Sequence, residues 1–76
     1  MDIKAFIENF IETLELEDGS AITETTKFKE LDEWDSLAAL STISMVDDEF
    51  GVTLTNKDLR AVETIQDLCN LIEEKK

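Results

Sequence analysis

Hydrophobic residues recur at three- and four-residue spacing at the head of the chain. Ile3, Phe6, Ile7, Phe10, Ile11 and Leu14 form the series, with Glu8, Glu12 and Glu15 among them. That period predicts an amphipathic helix with a single buried stripe. Asp2 stands where it can cap the N-terminus and complement the helix dipole. Gly19, beyond the last periodic residue, is expected to close the helix through a left-handed turn. From Ser20 to Trp34 no clean period survives, and Thr23, Thr25 and Thr26 disfavour helix. Ile22, Phe28 and Leu31 are spaced as anchors, so this long connection is expected to be ordered against the core.

A second helix is predicted from Asp35, a good N-cap, to about Phe50, with Gly51 as its stop. At 100° per residue, Ala39, Leu40, Ile43, Val46 and Phe50 fall on one arc, the expected buried face. Leu37 and Met45 fall outside it. Val52-Thr53-Leu54 is a β-prone link too brief to form a sheet without partners. Thr55 with Asp58, and Thr64 with Asp67, resemble capping boxes. They open a short third helix through about Val62 and a last helix striped by Ile65, Leu68, Cys69 and Ile72. Lys75 and Lys76 finish that helix with favourable charge. Helices joined by short links without a credible strand pair predict an all-α bundle, here a single domain over residues 1–76.

Composition narrows the function classes. A hydrophobic content of 42% is too high for a disordered chain. With 19 acidic residues against 7 basic ones, the net charge is −12, which repels nucleic acid and steers the chain toward basic patches on partners. A merely solvated, soluble surface is the plainer reading of the same charge. No apolar run approaches a membrane span, and Met1-Asp2-Ile3-Lys4 lacks the pattern of a secretory signal, so a cytoplasmic monomer is expected. One cysteine, Cys69, cannot form an internal disulfide, and its place on an apolar stripe suits a buried small hydrophobe.

Catalysis by the chain itself is hard to build. There is no histidine to act as base for Ser36 or Cys69, and no glycine-flanked nucleophile turn. One cysteine without histidine disfavours zinc. A calcium loop started at Asp18 or Asp48 would put Ile22, Phe50 or Val52 at ligand positions, and no glutamate closes it. What remains is Ser36, first residue after the Asp35 cap, where a hydroxyl projects near unpaired backbone N–H groups. A phosphoryl group bonded there would be stabilised by those donors and by the helix dipole. The plainer reading is a polar first-turn residue.

The order and spacing of Phe28-Lys29-Glu30-Leu31, Asp35-Ser36-Leu37, Asp48-Glu49-Phe50-Gly51-Val52 and Thr64-Ile65-Gln66-Asp67-Leu68 resemble the acyl carrier proteins. The resemblance covers nearly the whole chain. It implies a four-helix bundle of acyl-carrier type, with a long loop between the first two helices and a short third helix. It further implies phosphopantetheine esterified to Ser36 by a phosphopantetheinyl transferase that uses coenzyme A and magnesium. The arm's thiol would hold acyl groups as thioesters for loading and accepting enzymes, which bind through the second helix. Asp35 beside the serine resembles acyl carriers more than peptidyl carriers, where glycine is usual. An aminoacyl, peptidyl or polyketide-type cargo, or an unmodified acidic helical adaptor, are the competing readings.

Departures from the family pattern point to the partners. Many fatty-acid carriers have acids just after the serine triplet, whereas this chain has Ala38, Ala39, Ser41, Thr42 and Ser44, with Asp47, Asp48 and Glu49 only at the far end. Thr55 replaces the proline that often opens the third helix, and Trp34 is bulkier than usual before Asp35. Trp34 reads equally as a loop anchor and as a partner-facing ring. These features suggest a specialised stand-alone carrier, resembling those of bacterial accessory pathways, whose partners use Trp34, Leu37 and Met45 more than Asp47 and Asp48. The charge itself is testable. Self-repulsion among the acids should make the fold salt-sensitive, so added salt or divalent cations should raise the melting temperature. An unchanged melting curve between low and moderate salt would contradict this.

Overall fold

In the computed structural model, which describes residues 1–17 and 19–76, four α-helices pack around one core. They are α1 (Ile3–Leu14), α2 (Ser36–Phe50), α3 (Asn56–Ala61) and α4 (Ile65–Lys75). Asp18, considered above as the start of a metal loop, lies outside the described residues. Among the described residues there is no strand. Helix α1 packs against both α2 and α4.

Each helix starts where a short polar side chain accepts first-turn N–H groups, which have no partner inside the helix. Asp2 accepts from the Ala5 amide at 3.3 Å, and Asp35 from the Ala38 amide at 2.7 Å. Both capping boxes form reciprocally, Thr55 with Asp58 and Thr64 with Asp67. The Lys75 ammonium and the Thr55 amide hold the Asp58 carboxyl below its ordinary value. The same Lys75–Asp58 pair, at 3.0 Å, ties α4 to α3.

The end of α1 differs from the expectation. Glu15, not Gly19, takes the left-handed conformation (φ 53°, ψ 45°), and its N–H donates to the Glu12 carbonyl. The Leu16 amide then donates to the Ile11 carbonyl at 3.1 Å, completing a Schellman-type closure. Gly19 opens a 3-10 turn, Gly19–Ala21, and serves a close approach instead. A Cβ there would stand 2.7 Å from Ile11 Cδ1. Gly51 does act as the left-handed stop of α2 (φ 68°), donating to the Asp47 carbonyl at 3.1 Å.

The connection from α1 to α2 is tied down along its length. Ile22 and Phe28 are buried, and Leu31 and Trp34 pack partly against the core. Thr23 and Thr26 form a local turn, with the Thr23 amide donating to Thr26 Oγ1 at 2.8 Å. The carbonyls of Glu24 and Thr26 accept from the Gln66 and Ile65 amides at 2.8 and 3.1 Å, so the connection helps satisfy the first turn of α4. Phe10 stacks near Trp34 and meets Phe28 edge-on, with Phe6 and Phe50 extending the cluster.

Helix α2 is rotated about 100° from the expected face. Ala38, Thr42, Met45 and Val46 are its buried residues; Ala39, Ile43 and Phe50 are only partly covered, and Leu40 is exposed. Thr42 is fully buried because its hydroxyl donates to the Ala38 carbonyl at 2.9 Å, which satisfies the polar group within its own helix. Met45 fills the neighbouring position on that inward face.

Glutamate in a left-handed residue carries a steric penalty that glycine avoids, partly offset by the greater freedom of glycine in the unfolded chain. Glu15→Gly is therefore expected to stabilise the fold by about 0.5–1 kcal/mol, whereas Gly51→Ala should destabilise it by about 1 kcal/mol. Urea denaturation checks both signs.

Candidate functional site

Ser36 occupies the first position of α2, directly after the Asp35 cap. The Asp35 carboxylate takes the Ala38 amide and its carbonyl takes the Ala39 amide, so the cap side chain is committed to holding the helix start. Ser36 is exposed, and neither its hydroxyl nor the N–H groups of Ser36 and Leu37 make a hydrogen bond among the described residues. An outward hydroxyl therefore lies beside free backbone donors at the positive end of a helix, with no acid in the first turn. That donor set fits a phosphodiester linked to the serine oxygen.

Two surfaces meet at this serine. On the outer side, Leu37 is 70% exposed and Leu40 58% exposed, one turn apart, an apolar pair on an otherwise polar face. On the inner side lies a groove of about 380 Å³ between the connection, α2 and α3. Trp34, Ala39, Leu40 and Leu59 form its apolar walls, and Lys29, Asn56 and Arg60 its polar edge. Lys29 Nζ donates to the Arg60 carbonyl at 3.3 Å, closing the groove between the connection and the end of α3.

The sequence-predicted partner residues do not all gather here. Trp34 stands at the groove, half-buried, with its ring edge-on to Phe28 at 5.0 Å and stacked over Phe10 at 6.4 Å, so its packing is that of a loop anchor. Leu37 is exposed beside Ser36. Met45, expected to face outward, is only 6% exposed, a correction that follows from the rotation of α2. Asp47 and Asp48 are exposed at the far end of α2, roughly 16 Å along the helix from Ser36. Leu40, Lys29 and Arg60 were missed as site residues. Leu40 falls on the arc expected to be buried, and the two cations come together only through the fold.

Cys69 is buried in the core, and burial pushes its thiol up to about 11, against the pull of the N-terminal ammonium and with the Glu73 carboxylate adding to the rise. A thiol held neutral in this way is a poor nucleophile at neutral pH. Among the described residues, no group of three or more histidine, cysteine, aspartate or glutamate side chains is arranged to hold a metal ion. Among the described residues, no helix is long and apolar enough to cross a membrane.

An exposed, uncommitted serine directly after the cap of a helix in an acidic four-helix bundle is an arrangement suited to a carrier domain. The family described as phosphopantetheine attachment site matches residues 4–72. The chain belongs to this family, that of the acyl carrier proteins, whose prosthetic group is phosphopantetheine. Acyl carrier protein 5, chloroplastic, of Arabidopsis thaliana is 36% identical over 61 residues, covering 80% of this chain and 43% of that protein. Acyl carrier protein 1, chloroplastic, of Hordeum vulgare is 34% identical over 61 residues, covering 80% and 40%. The chain thus spans about two fifths of the length of these curated relatives. The solution structure of holo acyl carrier protein from Geobacter metallireducens shares the fold, with a TM-score of 0.78 at 22% identity over 96% of this chain and 83% of that one.

The exposed leucines, rather than the distant acids, stand next to the serine. Leu37→Ala or Leu40→Ala is expected to slow transfer to a partner enzyme by about tenfold. Neutralising Asp47 or Asp48 should slow it by less than about threefold, since exposed charge pairs contribute little. Steady-state transfer rates at fixed ionic strength rank the four variants, and the reverse ranking would refute the assignment.

Proposed function

We propose that this protein is an acyl carrier whose phosphopantetheine arm is esterified to Ser36. It holds acyl intermediates as thioesters and delivers them to partner enzymes of fatty acid, lipid or related biosynthesis, in the cytoplasm. The observation that carries this reading is the exposed Ser36 hydroxyl beside the free N–H groups at the N-terminus of α2, next to a groove and inside the family match. The arm would supply the reactive thiol that Cys69, buried and held neutral, does not.

In this reading the chain's own residues perform no chemistry. Asp35 fixes the first turn and so fixes the direction of the serine oxygen. The free N–H groups of Ser36 and Leu37 face the phosphodiester, and the helix dipole favours its charge. Leu37 and Leu40 give a partner an apolar foothold on the outer face, beside the attachment point. Trp34, through its inward packing, holds the end of the connection in place, and Asp47 and Asp48 contribute long-range attraction to basic partner surfaces. Asp35, unlike the glycine of peptidyl carriers, favours acyl over aminoacyl cargo.

Intact mass after incubation with coenzyme A, magnesium and a broad-specificity phosphopantetheinyl transferase tests the reading. The expected result is a gain of one phosphopantetheine, absent in Ser36→Ala. No gain with several transferases would favour an unmodified helical adaptor.

A further inference from the structure

The groove beside Ser36 is an electrostatic exception. Four other surface grooves among the described residues are each lined by two or more aspartates or glutamates. The groove at Ser36 has none, and it carries Lys29 and Arg60 instead. In a chain with 19 acids and 7 bases, two cations facing one acid-free groove are out of keeping with the rest of the surface. Neither Lys29 nor Arg60 forms an ion pair among the described residues. Glu30 and Glu63 lie with Lys27 in the hollow on the other side of Lys29, and they too leave it unpaired. The Lys29 ammonium spends one donor on the Arg60 carbonyl and keeps two more, and the Arg60 guanidinium keeps all of its own. Asn56, at the start of α3, adds a polar side chain to the same edge.

The walls below this edge are apolar: Trp34, Ala39, Leu40 and Leu59. A lining that is apolar along its walls and cationic at one edge suits a guest with a short hydrocarbon body and an anionic oxygen group at its end. We propose that Lys29 and Arg60 make this carrier selective for a short acyl cargo ending in a carboxylate. The inference rests on Ser36 bearing the arm, and it deepens that reading by naming the cargo class. The other anion within reach is the arm's own phosphodiester, which shares the chemistry. It is already provided with the free N–H groups of α2, whereas Lys29 and Arg60 belong to the connection and to α3 across the groove.

Valeryl and glutaryl groups have equal chain length and differ in the terminal carboxylate. Carried on hydrolysis-resistant amide analogues of coenzyme A, both can be loaded by a broad-specificity transferase, with intact mass confirming one adduct. The glutaryl form is expected to melt about 2–5 °C above the valeryl form at low salt. The backbone amide signals of Asn56, Leu59 and Arg60 should differ between the two forms. High salt should narrow the gap. Arg60→Gln, which preserves the carbonyl that Lys29 binds, should also narrow it, and Arg60→Lys should restore it. Equal melting and superimposable amide signals for the two loaded forms would overturn the proposal. So would an Arg60 signal already fully shifted in the unloaded holo form, which would give the cations to the phosphodiester. A chain that gains no adduct mass fails earlier, at the carrier reading itself.

Discussion

The position of Ser36 depends on the ring contacts among Phe10, Phe28 and Trp34. Phe10 belongs to α1, Phe28 to the 3-10 turn Phe28–Glu30, and Trp34 lies two residues before the serine. These contacts join the end of a long connection to the first helix. Fixing that connection opposes folding by about 1–2 kcal/mol per residue in backbone entropy. Burial of Phe10 and Phe28, at about 1.5–3 kcal/mol each, offsets part of it, and the ring contacts add about 0.5–1.5 kcal/mol apiece. Because Trp34 is held, Asp35 is delivered to the start of α2 with its carboxylate on the Ala38 amide. The position of Ser36 is therefore set by core packing two residues away from it, not by contacts of its own.

The connection also links the site to the rest of the fold. Its Glu24 and Thr26 carbonyls receive the first amides of α4, and its Lys29 reaches the Arg60 carbonyl near the end of α3. A segment that would otherwise leave its polar groups to water thus satisfies the ends of two other helices. This explains how a chain of 76 residues keeps a long connection ordered while the serine at its end stays uncommitted.

The helix starts are legible in the sequence because capping is local: Asp2, Asp35, Thr55 and Thr64 each act within three residues of themselves. The anchors of the connection are legible because Ile22 and Phe28 stand out against polar neighbours. The facing of α2 is not legible by hydropathy, since Thr42 counts as polar although its hydroxyl is satisfied by its own helix, and Leu40 counts as apolar although it lies outward. Those two residues turned the expected face and sent Met45 to the wrong side. Gly19 misleads in a similar way, because its need for space comes from Ile11 packing and not from a helix end. The cationic edge of the groove lies further out of reach, since Lys29 and Arg60 are 31 positions apart and meet only through tertiary structure.

Charge placement along α2 suits the group proposed for Ser36. From Ser36 to Val46 the helix has no charged side chain, in a chain where charged residues make up 34%. An acid in the first turns would repel a phosphodiester at Ser36 and compete for the same free amides. At the far end, Asp47, Asp48 and Glu49 lie beyond a screening length of about 8–10 Å from the serine. There they would attract a basic partner surface without acting on a group at Ser36. Close to the serine, orientation falls to shape and burial, which Leu37 and Leu40 provide on one side and the acid-free groove on the other. Asp32, Glu33 and Asp35 stand just before the serine, with the Asp35 carboxylate engaged by the Ala38 amide. The acid-free first turns of α2 are thus what keep further negative charge away from a group held at Ser36.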